Sequence, residues 1–162
     1  MRHEQSITFN NQHYSLAHVQ PIKRQVQWQA RTGQRVTYDI RITMSDHCYT
    51  EGTDQQERIF DPVRYDHSLH ITEVIEKLCK KPSTTIKLVE RRNYAVFRLS
   101  LPSELNNNEQ YWVFFHLRQH SKNLQNNRLA VSMHVQSAYP RTAPVITRQH
   151  LPFGLALEKL FL

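Results

Sequence analysis

The stretch that decides the fold is YWVFFHLRQHSKNLQNNRLAVSMHVQSAY, residues Tyr111–Tyr139. It contains two runs in which the odd-numbered residues are apolar and the even-numbered residues are mixed, and a polar segment separates these runs. Because successive side chains of a β-strand point to opposite faces, this alternation predicts a hairpin with one apolar and one mixed face. If the chain turns in the polar segment, His116 lies opposite His134. The same pairing places Arg118 opposite Ser132, and all four side chains share the mixed face.

Two further hairpins are predicted in the N-terminal part of the chain. The first covers residues 6–16 and turns at Asn10 and Asn11. The second covers residues 25–44, where two alternating runs flank Gly33. The segment that follows, residues 53–65, shows no period and is predicted to be irregular.

One main amphipathic helix is predicted over residues 68–81. Asp66 or Ser68 can cap it, its apolar residues recur at helical spacing, and Pro82 ends it. A short C-terminal helix is predicted over residues 155–162.

The remaining strands belong to the C-terminal part. Residues 84–89 and 94–101 predict strands, and the second of these forms an antiparallel meander of three strands with the 111–139 hairpin. Residues 141–150 are predicted to be extended or looped. The fold class is therefore α+β, mainly antiparallel β, in a single domain over residues 1–162. The odd-numbered residues of the meander are expected in the core, namely Phe97, Leu99, Val113, Phe115, Leu117, Val131, Met133 and Val135.

Composition narrows the class of partner. The chain carries 21 Lys and Arg against 14 Asp and Glu, so RNA or another polyanion is the expected partner, with an acidic protein partner or inhibitor as the second choice. Cys48 and Cys79 form no CxxC pair, which fits a reduced, cytoplasmic setting. No signal peptide or long apolar run is present, so no membrane association is expected. The three glycines form no nucleotide-binding motif, and no cofactor is expected.

The mixed face of the meander is the leading candidate site. Imidazoles exchange protons near neutral pH, so His116 and His134 are predicted as acid and base. Tyr139, at the end of the last strand, is a third catalytic candidate. No paired metal-ligand motif is evident, so the predicted chemistry is free of metal. The predicted nucleic-acid ligands are the guanidinium groups and the aromatic platforms of this region, namely Arg91, Arg92, Tyr94, Arg98, Trp112, Arg118 and Arg141.

Several alternatives stay open at this point. The N-terminal hairpins could cover the mixed face and turn His116 and His134 into core residues. The face could bind nucleic acid or protein without catalysis. The C-terminal apolar segment could dock on the body of the chain or form a homodimer. A secondary candidate is the loop after the second hairpin, where Asp46, His47, Cys48 and Tyr49 bring proton-transfer and nucleophilic groups together.

Two resemblances bear on function. A helix followed by an antiparallel meander, with a last strand ending in VQSAYPR, resembles the RelE/barnase-like group of small basic ribonucleases over residues 66–141. That resemblance implies a metal-independent endoribonuclease of the toxin–antitoxin or phage-defence type. The blocks SDHCYT, FDPVRYDHS, NYAVF, YWVFFHLR and VQSAYPR resemble an uncharacterised bacterial protein family, which implies no particular activity.

Overall fold

A computed structural model describes residues 3–53, 57–90, 93–98, 110–125, 128–142 and 145–162, with the backbone alone for residues 97, 98 and 121–125. The strands are β1 Ser6–Phe9, β2 Gln12–Ser15, β3 Ile22–Gln29, β4 Arg35–Met44, β5 Thr50–Glu51, β6 Ile59–Phe60, β7 Thr85–Glu90, β8 Asn93–Arg98, β9 Gln110–Gln125, β10 Arg128–Arg141 and β11 Gln149–Pro152. The helices are α1 Pro62–Ser68, α2 Ile71–Lys80 and α3 Phe153–Lys159.

A seven-stranded sheet in the order β11-β7-β8-β9-β10-β4-β3 forms the centre of the fold. Its neighbouring strands are antiparallel except β10 and β4, which are parallel. The predicted α+β class and the meander of β8, β9 and β10 are confirmed. The second N-terminal hairpin does not stand apart from this meander, because β4 pairs with β10. That pairing brings β4 side chains beside the predicted histidine face.

One face of the sheet packs against the helices. The apolar stripe of α2 is buried, α2 packs on β3, and α3 packs on β3 and β11. The other face, named the open face from here on, carries polar side chains. Lys23, Gln25, Arg41, Arg118 and Gln136 are all exposed there. The alternative in which the N-terminal hairpins cover this face is wrong for the second hairpin, since β3 and β4 extend the sheet sideways instead.

The two predicted N-terminal turns are confirmed, and their backbone explains the residues found there. Asn10 and Asn11 have φ of 48° and 61°, the left-handed pair that a tight two-residue hairpin needs. Gly33 has φ of 88°, which glycine adopts without the Cβ penalty of other residues. In both turns, therefore, asparagine or glycine occupies the positions where the backbone has a positive φ.

The helical region begins earlier than predicted. Asp61 caps α1, because its side chain accepts hydrogen bonds from the backbone N–H groups of Val63 at 2.9 Å and Arg64 at 3.3 Å. Pro62 is favourable at the first helical turn, where its missing N–H is not needed. A short break at residues 69–70 separates α1 from α2. The predicted irregular segment and the predicted caps Asp66 and Ser68 are therefore wrong in this region.

Strand β8 presents the opposite faces from those predicted. Tyr94 pairs with Phe115 and Val96 pairs with Val113, so the even-numbered residues of β8 lie on the core face. In NYAVF nearly every residue is apolar, so alternation carries no information on which side is buried. Phe97, predicted in the core, instead stands opposite Trp112 in the register. Leu99 lies outside the described residues.

The C-terminal segment returns to the body of the chain. Gln149–Pro152 pairs with β7 as an edge strand, where only an extended or looped segment was predicted. Helix α3 then begins at Phe153, two residues before the predicted start, and buries Phe153, Ala156 and Leu157. A homodimer through this segment stays a prediction. No helix in the described part of the chain is long and apolar enough to span a membrane.

Candidate functional site

The histidine pair is the centre of the candidate site. His116 on β9 and His134 on β10 are direct cross-strand neighbours, and Arg118 lies opposite Ser132, as predicted. Directly opposite residues of antiparallel strands hold their Cβ atoms about 4.5–5.5 Å apart. The two imidazoles therefore share one small region of the open face.

Each imidazole is oriented by a hydrogen bond to a neighbouring side chain. Nε2 of His116 lies 2.9 Å from Oε1 of Gln136, and Nδ1 of His134 lies 2.8 Å from Oγ1 of Thr43. A hydrogen bond to one ring nitrogen selects the tautomer and leaves the other nitrogen for chemistry. Burial lowers the pKa of His134, and charge on His116 lowers it further. The His134 imidazole is thus favoured as a neutral proton acceptor at neutral pH.

A cavity of about 390 Å³ opens over the histidine pair. Arg118 is exposed at its wall, and Oγ of Ser132 lies 3.4 Å from Nδ1 of His120. Among the residues that the structure describes, no carboxylate forms an ion pair with Arg118. Cations and hydroxyls without carboxylates make a suitable environment for a phosphate group. The described residues that line the cavity are Thr43, His116, Arg118, Gln119, His120, Ser132 and His134.

Three members of this cavity, Thr43, Gln119 and His120, were absent from the predicted site. Thr43 comes from β4, and the parallel pairing that places it beside His134 joins segments distant in the chain, so no local pattern could have found it. His120 lies in the quoted hairpin, two residues after Arg118. Because it is an even-numbered residue of the same run, the alternation could have predicted that it lies on the mixed face.

The predicted aromatic platforms are not open. Tyr94 lies on the core face and Trp112 is only 3% exposed, with the ammonium of Lys87 5.2 Å from its ring. Neither ring can therefore stack on a base as predicted. Half-buried aromatic surface is instead provided by Phe114 and Tyr139, whose stacked rings are 5.4 Å apart.

The structure does not bring Tyr139 to the histidine pair. Tyr139 stands opposite Trp112, four residues along β9 from His116, a separation of about 13 Å at ~3.3 Å per residue. The guanidinium of Arg141 lies 6.0 Å from the Tyr139 ring, so this predicted ligand is at the same remote end.

The other predicted arginines stand apart from the histidines or outside the description. The register places Arg98 opposite Tyr111, five residues along β9 from His116, about 17 Å at ~3.3 Å per residue. Its side chain lies outside the described part. Arg91 and Arg92 lie outside the described residues. Of the predicted arginines, the described structure therefore brings Arg118 to the histidine pair.

The secondary loop is a packed structural turn. Residues Asp46–Cys48 form a 3-10 turn capped by Ser45, and Cys48 has no exposed surface. Burial raises the pKa of the Cys48 thiol to about 12, and charge on Asp46 acts in the same direction. The hydroxyl of Tyr49 is held 2.8 Å from Nδ1 of His3. His47 and Asp46 remain partly exposed, but the predicted central nucleophile is inaccessible and protonated.

Comparison of the chain with known proteins assigns it to a protein family. The model described as the YjaZ family matches residues 6–161, so the chain belongs to the YjaZ family. This agrees with the resemblance of the five sequence blocks to a bacterial family and gives no support to the RelE/barnase-like resemblance. Neither a curated protein nor a solved structure matches the chain.

Proposed function

We propose that this member of the YjaZ family binds RNA on its open face and cleaves it without a metal ion. His134 is the general base, His116 is the general acid, and Arg118 binds the scissile phosphate. The observation that carries the proposal is the cross-strand histidine pair in a cavity whose described lining holds Arg118 and no carboxylate. The excess of 21 Lys and Arg over 14 Asp and Glu supports a polyanionic substrate.

The proposed reaction balances with these groups alone. Nε2 of His134, free when Nδ1 donates to Thr43, takes the proton of the ribose 2′-OH. The 2′-oxygen forms a bond to phosphorus while the bond from phosphorus to the 5′-oxygen breaks. Protonated His116 gives its Nδ1 proton to the leaving 5′-oxygen, since its Nε2 is held by Gln136. Arg118 stabilises the charge on the pentacovalent phosphorus centre. The products are a 2′,3′-cyclic phosphate and a 5′-hydroxyl.

The test is incubation of the purified protein with a labelled RNA in EDTA, with the product ends identified. The wild-type protein is expected to release a 2′,3′-cyclic phosphate. H116Q and H134Q should each lose cleavage by about 100-fold or more, the usual worth of a positioned acid or base. H13Q is the matched control, because His13 is exposed on β2, which belongs to a separate two-stranded sheet. A wild-type protein that leaves RNA intact, or an active H116Q/H134Q variant of unchanged melting temperature, would contradict the proposal.

A non-catalytic module is the second candidate. Both imidazoles already have a protein hydrogen-bond partner, as in a face that only binds. This function predicts RNA binding that weakens with salt, by ~0.7 in the log–log slope for each phosphate contacted, without cleavage at any protein concentration. The cytoplasmic location, the toxin–antitoxin or phage-defence role and the acidic protein partner stay predictions.

A further inference from the structure

We propose that the RNA bound here is single-stranded and that its backbone continues from the histidine pair across β10 and β4 to β3, where Lys23 and Arg41 bind a further phosphate. This inference rests on the proposed function, because it extends the same face. It assigns a second phosphate subsite, and it makes the RNA backbone run across the β-strands of the sheet.

The register forms a row of side chains perpendicular to the strands. Lys23 on β3 pairs with Arg41 on β4, Arg41 pairs with Ser132 on β10, and Ser132 pairs with Arg118 on β9. Neighbouring strands lie about 4.8 Å apart, so the row spans about 14 Å from Lys23 to Arg118. The row of Thr43, His134 and His116 runs beside it, two residues or about 7 Å along the strands. The basic row thus starts next to the proposed reaction centre.

In the part of the chain that the structure describes, the cations of this row have no carboxylate partner. Lys23 and Arg41 are exposed and directly opposite each other, an arrangement of like charges that destabilises a sheet. Among the described residues, no carboxylate forms an ion pair with either one. The nearby Asp39 is held by Arg128 through two hydrogen bonds of 2.6 and 3.0 Å. A bound phosphate between Lys23 and Arg41 would offset their repulsion.

A second cavity lies over this end of the row. It has a volume of about 760 Å³ and shares His120 with the cavity over the histidine pair. Its described lining includes Lys23, Arg41 and Arg128, and Asp39 is the one carboxylate in it. The two cavities therefore form one continuous basic track from β9 to β3.

A single strand fits this track better than a duplex does. Positively charged grooves that follow one backbone are typical of proteins that bind single strands, whereas an A-form duplex offers its phosphates on a rigid outer surface. Cleavage by the 2′-oxygen also needs an in-line approach to phosphorus, which a flexible strand can adopt. The half-buried Phe114–Tyr139 stack at the opposite end of the face adds an aromatic surface for an unpaired base.

The test measures binding separately from cleavage by using a fluorescent octamer of 2′-O-methyl RNA, which has no 2′-OH to attack phosphorus. Its dissociation constant is measured by anisotropy over a range of salt concentrations. In K23Q/R41Q the log–log salt slope should fall by about 0.7, the value for the one phosphate that this pair binds, and affinity should weaken. A trimer that spans the histidine cavity alone, measured by competition, should bind both proteins equally. K77Q/K81Q is the matched control, since it removes the same charge from exposed lysines at the end of α2, on the opposite side of the sheet.

A second variant tests the track by gain of affinity. D39N removes the carboxylate of the second cavity and releases Arg128, so the octamer should bind more tightly than to wild type. D66N, at an exposed position of α1, makes the same change of charge and should leave affinity unchanged. Equal octamer affinity of K23Q/R41Q and wild type, an equal loss in K77Q/K81Q, or tighter binding of the same octamer as a duplex would each overturn the inference. Loss of the proposed function is distinguishable, because it appears as intact RNA in EDTA while the octamer still responds to K23Q/R41Q.

Discussion

The side-chain oxygen of Gln136 lies 2.9 Å from Nε2 of His116, and Gln136 is the residue that a bulge inserts into β10. Val135 pairs with Phe115 and Ser137 with Phe114, so Gln136 has no partner of its own on β9. Bulges bend a strand and re-aim its side chains. This bulge gives His116 its hydrogen-bond partner. After Gln136, the odd-numbered residues of β10 lie on the open face.

Replacement of Gln136 by Ala should impair the proposed cleavage without impairing binding. His116 would lose the acceptor that fixes its tautomer, a hydrogen bond worth about 0.5–1.5 kcal/mol, so kcat should fall about 2- to 10-fold. KM should change little, because Arg118 remains in place. Gln136 acts here as a positioning residue, so the pH profile of kcat should also change. Q27A, at an exposed position of β3, is the control, and an equal loss in Q27A or an unchanged Q136A profile would refute this role.

Stability should fall in mild acid. Burial lowers the pKa of His18 below 6.5, with charge on His3 adding to the effect, and Nε2 of His18 lies 2.6 Å from Oγ of Ser68. The pKa of His134 is lowered in the same direction. Such groups bind fewer protons in the folded state than in the unfolded state. Their contribution to the free energy of unfolding is therefore fully present above pH 6.5, and it is lost as the pH falls through the lower pKa of the folded state.

Urea unfolding at about pH 7.5 and about pH 5 measures this loss as a lower free energy of unfolding in acid. H18Q should reduce the difference between the two conditions, because it removes one of the two titrating groups. H13Q, at an exposed site on β2, should keep the wild-type difference. Equal stability in both conditions would show that neither histidine is linked to folding.

Both thiols should resist alkylation in the native protein. Burial raises the pKa of Cys48 to about 12 and that of Cys79 to about 11, so little thiolate exists near neutral pH. With iodoacetamide, mass spectrometry should find Cys48 and Cys79 unmodified in the native chain and both residues modified in urea. Rapid native labelling of Cys48 that also abolishes cleavage would return the Asp46–Tyr49 loop to consideration as the site.

A methyl group at Gly154 should destabilise the fold. Gly154 in α3 packs so closely on the indole of Trp28 that a Cβ would overlap the ring, and its N–H donates to the carbonyl of Pro82 at 2.8 Å. Overpacking of this kind costs about 1–3 kcal/mol. The free energy of unfolding of G154A should fall by that amount in urea. In the double variant W28L/G154A, the loss in free energy of unfolding should be smaller than the sum of the losses in the two single variants. Strictly additive losses would show that the new methyl group does not clash with the indole of Trp28.

The histidine pair could be predicted because a hairpin is local. Strict alternation fixes which residues share a face, and His116 faces His134 as expected. The same reasoning failed for Tyr94, because a strand apolar on both sides gives no sign of which side is buried. It also missed α1, whose start depends on the cap that Asp61 provides to Val63 and Arg64 rather than on a long apolar stripe.

Sequence alone therefore determined the elements of the 111–139 hairpin, its two faces and the basic character of the chain, since these depend on neighbouring residues and on composition. Tertiary structure decided which side of the sheet stays open and what stands beside the histidines. Parallel pairing of β10 with β4 placed Thr43 and Arg41 next to His134 and Ser132. That pairing joins segments about ninety residues apart, and it is chosen by burial of the common core rather than by any local pattern.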